Sequence, residues 1–315
     1  MKIALILLLI LAFGTGFLLW RAARNEAETA RLYPPVGKIV KANGHDVHVK
    51  IMGNGPPIVL LHGASGNLRD MTWRLAPALA ENFTVIAMDR PGFGYTPPLG
   101  RDGATLAQQA EVLRAALNTL GYRKAYVLGQ SYGGSVALRW ALDYPDSVAG
   151  LALVSAPSNV WPTGLGTLYR INANPLTGPL LRLWVAAFPP RGLVRASLAS
   201  VYEPQPIPAG YGDHLGIGLV LMRSTQRENA LQVAALKEQV RAMVPRYGEI
   251  DLPVEAVHGT ADTVVPSHIH TEKLAQQIRG INVTFLQGVG HMPHNTNTDK
   301  VVAAALRLLK RGALK

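Results

Sequence analysis

An α/β fold, with a mostly parallel sheet covered by helices on both faces, is predicted by three features of the 315-residue sequence. Short, almost wholly apolar runs such as IVLL at 58–61 suit strands buried on both faces. They alternate with longer stretches whose apolar residues recur at helical spacing, and repeated strand-helix units bury their faces only in a parallel sheet. The composition, 48% hydrophobic and 16% charged with 31 Gly and 22 Pro, belongs to an ordered chain rich in turns, of a size for one large domain or two modest ones.

Residues 3–20 are uncharged and mostly apolar, long enough to cross a bilayer at about 1.5 Å per residue. Lys2 precedes them, Arg21, Arg24 and Arg31 lie beyond them, and Trp20 suits the interface. No small-x-small cleavage site comes after the run, so an uncleaved anchor, expected in a bacterial inner membrane, is preferred to a cleaved export signal. The basic flank favours a cytoplasmic main domain, whereas a signal-anchor exports the chain beyond it, and the side stays open. The polar segment ending at Tyr33-Pro34-Pro35 reads as a stiff linker, which gives an anchor and linker over 1–33.

The core begins with VGKIVKANGHDVHVKIMG, a hairpin turning at Asn43-Gly44. After it come a strand at 58–61, a helix at 71–79, a strand at 83–88 and the turn DRPGFG. Next are a helix at 105–120 capped by Thr105, a strand at 126–128, a helix at 131–142 and a strand at 148–154, completing a first core part over 34–157. The run 158–245 breaks the alternation. It carries Pro and Gly at its edges, LLRLWVAAF at 180–188 and a helical block at 229–244, and it reads as an inserted helical cap that excludes water while a hinge admits substrate. The second core part, 246–315, supplies strands at 254–257 and 283–286, a helix at 268–279 between them and a closing helix at 299–309.

The chain has no cysteine, which excludes disulfides, thiolate metal sites and a cysteine nucleophile. Its formal net charge of +11 suits anionic surfaces, but the basic residues are scattered among Asp and Glu, and no motif supports nucleic-acid binding. No lysine-containing phosphate loop and no HExxH pair is present, so no metal or cofactor is expected. His268 and His270, two apart on an expected helix, do not face one ligand.

The chemistry is suggested by YVLGQSYGGSVAL. Gly129-Gln130-Ser131-Tyr132-Gly133 places a serine between glycines where a strand pattern turns directly into a helical one, the pattern of a strained elbow that exposes a nucleophile. A serine hydroxyl needs a base, an orienting acid and an oxyanion pocket. His291 in QGVGHMPHN comes after a strand and is flanked by glycine, and it is preferred to His294, which is preceded by Pro293. Asp262 in VEAVHGTADTVVP comes after the 254–257 strand and supplies the acid; Asp89 in DRPGFG is better explained as a brace for its own turn. The backbone N–H groups of Tyr132 and of Ala64 in HGASGN are the expected oxyanion donors, with His62 a structural histidine.

Taken together, HGASGN, DRPGFG, GQSYGG, HGTADTVVP and GVGH resemble the α/β-hydrolase superfamily, in particular its serine-dependent carboxylesterase, monoacylglycerol-lipase and carbon-carbon-bond-hydrolase branch. The resemblance spans roughly residues 38–312. It implies an eight-stranded sheet with the second strand antiparallel, a helical cap after the sixth strand, and Ser131, Asp262 and His291 as nucleophile, acid and base. Epoxide and haloalkane hydrolases of this superfamily use aspartate where this chain has Ser131, which disfavours both activities; haloperoxidase-like relatives keep the serine. Hydrolysis of esters with an apolar acyl portion, lipid esters included, is the expected activity. Amide, thioester or carbon-carbon cleavage, and a noncatalytic binding protein on the same fold, are the alternatives.

Overall fold

The computed structural model describes residues 2–312. Helix α1 runs without a break over Lys2–Leu32. A hairpin of β1 (Lys38–Ala42) and β2 (His45–Met52) comes next, turning through Asn43 and Gly44 at positive φ as an Asn-Gly turn requires. Then come β3 (Pro57–Leu61), α2 (Leu68–Trp73), α3 (Leu75–Leu79) and β4 (Thr84–Met88). The helix expected over 71–79 is thus two short ones. Asn67 caps the first by accepting from the Arg69 N–H, and the chain leaves helical geometry at Arg74.

Helix α4 (Leu106–Thr119) starts at Thr105, the cap its sequence predicts, and the structure adds Gln108 to make a full capping box. β5 (Ala125–Gln130), α5 (Tyr132–Asp143) and β6 (Val148–Val154) complete the first part of the sheet. Six helices are inserted before the next strand: α6 (Thr167–Ala173), α7 (Gly178–Ala187), α8 (Arg191–Tyr202), α9 (Tyr211–Leu215), α10 (Ile217–Val220) and α11 (Arg223–Met243). The chain then closes with β7 (Val254–Gly259), α12 (Thr271–Gln277), β8 (Asn282–Leu286), α13 (Pro293–Thr296) and α14 (Thr298–Arg311). The expected helix over 268–279 is shorter because 266–270 is taken up by tight turns, with His270 left at the N-cap of α12.

Among the described residues the sheet has eight strands in the order β1-β2-β4-β3-β5-β6-β7-β8, and β2 runs antiparallel to both of its neighbours. From β4 to β8 neighbouring strands are parallel. β4, β5, β6 and β7 are buried at every residue, which is why their sequences are apolar runs rather than alternations. Val59, Leu61 and Val127 point to a core shared with α4 and α5, while Ile58, Leu60 and Leu128 point to one shared with α2, α3 and α14. β4 lies on one side of β3 and β5 on the other, so the chain reverses its direction of travel there. A crevice opens at the carboxyl ends of strands at such a point.

The polar stretch after residue 20 differs from the expected linker. It continues α1 to Leu32 and lies against the inserted helices. Ala22 is fully buried against Ala186 and Ala187, with Leu18, Leu183 and Phe188 around them. Arg21 Nε and Asn25 Nδ2 donate to the Ala187 carbonyl at the end of α7, and Asn25 also to that of Ala186. Glu26 takes a bidentate pair from Arg223, at 3.0 and 2.7 Å, and also caps the Arg223 N–H at the start of α11. A helix bonded this way has one orientation relative to α7 and α11. A double-mutant cycle between Glu26→Gln and Arg223→Met, read by denaturant unfolding in detergent, is expected to return a coupling of about 1 kcal/mol.

Candidate active site

Ser131 sits between β5 and α5 at φ 49° and ψ −124°, a conformation that costs a non-glycine residue about 1–3 kcal/mol. The turn is held from both sides. The Ser131 N–H donates to the Val154 carbonyl at the end of β6, and its carbonyl accepts from Gly134 N–H. A side chain at Gly129 would run into the Gly133 carbonyl, and one at Gly133 into the carbonyls of Leu61 and His62. Both glycines are therefore demanded by close backbone approach.

His291 lies after β8 in the loop Val289–Gly290–His291, and Asp262 lies after β7. His291 Nε2 is 2.9 Å from Ser131 Oγ, and its Nδ1 is 2.7 Å from Asp262 Oδ2. With Nδ1–H donating to the carboxylate, Nε2 is free to accept from the serine hydroxyl. Asp262 Oδ1 accepts from the N–H groups of Val264 and Val265. Burial pushes the Asp262 carboxyl up, but hydrogen bonds from His258, His291 and the Val265 N–H outweigh it and hold the group well below the usual carboxylate range.

His294 is brought to a different place. It is fully buried with Nε2 3.1 Å from both Asp70 oxygens, in a cluster with Tyr211 and Asn295. Burial raises the Asp70 carboxyl, and His294, Tyr211 and Asn295 together lower it to about 2. Asp89 accepts from Leu68 N–H, Tyr95 N–H and His48 Nδ1 and braces the DRPGFG turn. His62 donates from Nδ1 to the Gly63 carbonyl and accepts the Arg90 N–H at Nε2. His268 is exposed, whereas His270 is buried and accepts from the N–H groups of Ser158 and Asn159.

Of the two expected oxyanion donors, Tyr132 follows the serine in the chain and Ala64 follows Gly63. Tyr132 opens α5, where no carbonyl within the helix accepts from its N–H, and no hydrogen bond among the described residues uses the Ala64 N–H. Gly63 lies beside Ser131, since a Cβ there would approach the serine Cβ to 3.1 Å. Arg90, which lies in the DRPGFG turn but to which the sequence assigns no role, fixes this loop. Its Nε donates to the His62 carbonyl and its Nη2 to the Gly63 carbonyl, at 2.9 and 3.0 Å, while Nη1 reaches Gln109 and Gln232. In a trans peptide the C=O and the next N–H point in opposite directions, so a Gly63 carbonyl held on the guanidinium turns the Ala64 N–H away from it. No carboxylate among the described residues pairs with Arg90, and burial lowers it to about 10, which leaves it charged.

Two further supports are not legible as motifs. His258, near the end of β7, precedes Asp262 by four residues. Its Nε2 lies 2.7 Å from the Val265 carbonyl and 3.2 Å from Asp262 Oδ2, and its Nδ1 takes the Thr271 hydroxyl. Asn229 of α11 accepts from the Ser65 N–H and donates to its hydroxyl, tying the inserted helices to the HGASGN loop. His258 stands in the HGTADTVVP stretch, but nothing local in the sequence marks either side chain for these contacts.

Burial lowers His62 to about 4 and His270 to about 3 from the ordinary 6.5. Between those values the unfolded chain binds protons that the folded one does not, so the stability is full above 6.5 and is lost as pH falls through that window. Each histidine contributes a slope of up to about 1.4 kcal/mol per pH unit. Denaturant unfolding measured downward from neutral pH is expected to show this fall, and His270→Gln to flatten it.

The model of the α/β-hydrolase fold family matches residues 56–188. Over 303 residues the chain is 27% identical to an uncharacterized protein of Mycobacterium tuberculosis, covering 91% of this chain and 84% of that one. Over 295 residues it is 25% identical to the monoacylglycerol lipase abhd6-A of Xenopus laevis, covering 90% and 85%. The crystal structure of a membrane phospholipase A, described as a bacterial virulence factor, shares the fold with a TM-score of 0.67 at 22% identity over 100% of both chains. With the β1-β2-β4-β3-β5-β6-β7-β8 sheet, the serine turn after β5 and these matches, the chain has the α/β-hydrolase fold.

Proposed function

We propose that the chain is a membrane-anchored serine hydrolase that cleaves carboxylic esters with an apolar acyl portion, monoacylglycerols or related lipid esters, through an acyl-enzyme. The observation that carries this reading is the hydrogen-bonded run from Asp262 through His291 to Ser131 at the strained turn. In this mechanism His291 Nε2 takes the Ser131 proton as Oγ attacks the ester carbonyl, and Asp262 stabilises the imidazolium. The N–H groups of Tyr132 and Ala64 receive the oxyanion. The proton passes from His291 to the leaving alcohol. Water, deprotonated by the same nitrogen, then attacks the acyl carbonyl, the bond to Ser131 Oγ breaks as His291 returns the proton to that oxygen, and the acid leaves as its carboxylate.

The lipid side of the proposal draws on α1 and on the likeness to a monoacylglycerol lipase. Residues 2–20 present their side chains outward except Leu18, and the helix is long and apolar enough to cross a membrane. Each methylene of an acyl chain buried in the site adds about 0.8 kcal/mol of selection.

Ser131→Ala and His291→Ala are expected to fold and to lose turnover of p-nitrophenyl and monoacylglycerol esters by about 10⁴-fold, while His294→Ala keeps the activity of whatever fraction folds. A fluorophosphonate should label the parent at Ser131 and leave Ser131→Ala unmarked by mass spectrometry. Labelling with no turnover of any ester would move the substrate to an amide or a carbon-carbon bond; turnover by a folded Ser131→Ala would overturn the mechanism. Arg90→Lys keeps the charge and loses the fork on two carbonyls, so kcat should fall roughly tenfold or more with KM little changed.

A further inference from the structure

We propose that the inserted helices α6, α7 and α8 form a second membrane contact, an apolar and arginine-bearing face that rests on an anionic phospholipid leaflet beside the point where α1 enters it. The proposal builds on the anchoring role given to α1 above.

Large apolar side chains are seldom exposed on this chain outside α1. Nine are, among the described residues, and six of them, Leu168, Ile171, Leu176, Leu180, Trp184 and Leu193, fall in one run of the sequence. Leu176 and Leu180 are the most open, at 81% and 71%. Scattered exposed leucines are ordinary, but α6 and α7 pack together, and so many open apolar side chains on and between two neighbouring helices mark an interaction surface.

Three observations name its occupant. First, Leu183, Ala186 and Ala187 of α7 pack against Leu18 and Ala22 of α1, so α7 meets α1 at the end of the 3–20 apolar run, at the depth where headgroups begin. Leu180 and Trp184, four residues apart on α7, lie beside that contact and stay open. Second, no Asp or Glu occurs from 147 to 202, in a chain that carries 20 of them, whereas Arg170, Arg191 and Arg195 are exposed there. Basic side chains beside tryptophan and leucine suit the interface of an anionic bilayer, where each charge adds about 1 kcal/mol. Third, α1 is bonded to α7 and α11 through Arg21, Asn25 and Glu26, so inserting α1 fixes how the inserted helices meet the surface.

This contact bears on catalysis through α8. The helix begins beside exposed Leu193 and ends at buried Tyr202, and Gln205 just beyond it holds the Gly288 carbonyl and the Gly290 N–H of the loop that carries His291. Its 12 residues span about 18 Å, so the lipid-facing end lies one helix length from the reacting groups.

The absence of cysteine allows single labels on the full chain. Leu180→Cys, Leu193→Cys and, at the amino end of β5, Lys124→Cys would each carry an environment-sensitive fluorophore in vesicles of phosphatidylglycerol and phosphatidylethanolamine. Retention through α1 would be read separately by alkaline extraction. Acyl-chain-brominated lipids should lower emission at 180 and 193 by roughly twofold and leave 124 unchanged, and adding Arg191→Glu with Arg195→Glu should restore the signal at 180. A chain retained by the vesicles with no quenching at 180 or 193 overturns the contact and leaves the anchor standing. Shielding from aqueous iodide without bromolipid quenching means that a second copy covers the face, and overturns it too. Release at alkaline pH overturns the anchor and the contact together.

Discussion

The backbone of Ser131 is in a region that a side chain rarely occupies, and everything around the site serves to keep it there. The strain is local, but what holds it comes from four separate parts of the chain. β6 supplies the Val154 carbonyl, β3 leaves room only for glycine at 133, and α5 begins immediately with the Gly134 N–H on the Ser131 carbonyl. The side chain of Gln130 reaches the His291 carbonyl, which couples the serine turn directly to the histidine loop. A half-buried hydroxyl is thereby held at the carboxyl end of a central strand.

Around this turn lies a layer of buried polar groups that would be costly if any were left unpaired. Arg90 is a buried charge with no carboxylate beside it. Two peptide carbonyls, two glutamine side chains and the rings of Phe93 and Tyr132, each 4.4 Å from the guanidinium carbon, take the place of a counter-ion. Such an arrangement leaves positive potential close to the Gly63–Ala64 peptide. It also joins the loop after β3 to α11 through Gln232, as Asn229 does through Ser65, so the loop and the inserted helices are held as one piece.

The inserted helices are bonded to both the core and α1. On the core side, Tyr211 of α9 donates to Asp70 of α2, which also takes His294 from the segment after His291. On the other side, α1 carries its apolar run outward and its polar run along α7, α10 and α11. A continuous helix that is all apolar at one end and docked at the other transmits orientation, which a flexible linker would not do.

The sequence by itself determined the sheet and singled out Ser131, Asp262 and His291, which the fold brings into contact. Apolar runs with turn residues at their ends are local signals, and Ser131, Asp262 and His291 each lie just past such a run, so their approach in space came from the strand order. Thr105 and the Asn43-Gly44 pair were legible for the same reason, since a cap or a tight turn is written within four residues. Only the tertiary structure decided the roles of Arg90, His258 and Asn229, whose partners lie far along the chain or across a turn, and the fate of His294, drawn to a buried Asp70 that no local pattern points to. It also decided that residues 21–32 are helix and not linker. Their charges look solvent-bound in sequence, but Arg21, Asn25 and Glu26 find partners more than 150 residues away. Long-range hydrogen bonds of that kind leave no periodic trace, because they depend on which surfaces meet and not on which residues are neighbours.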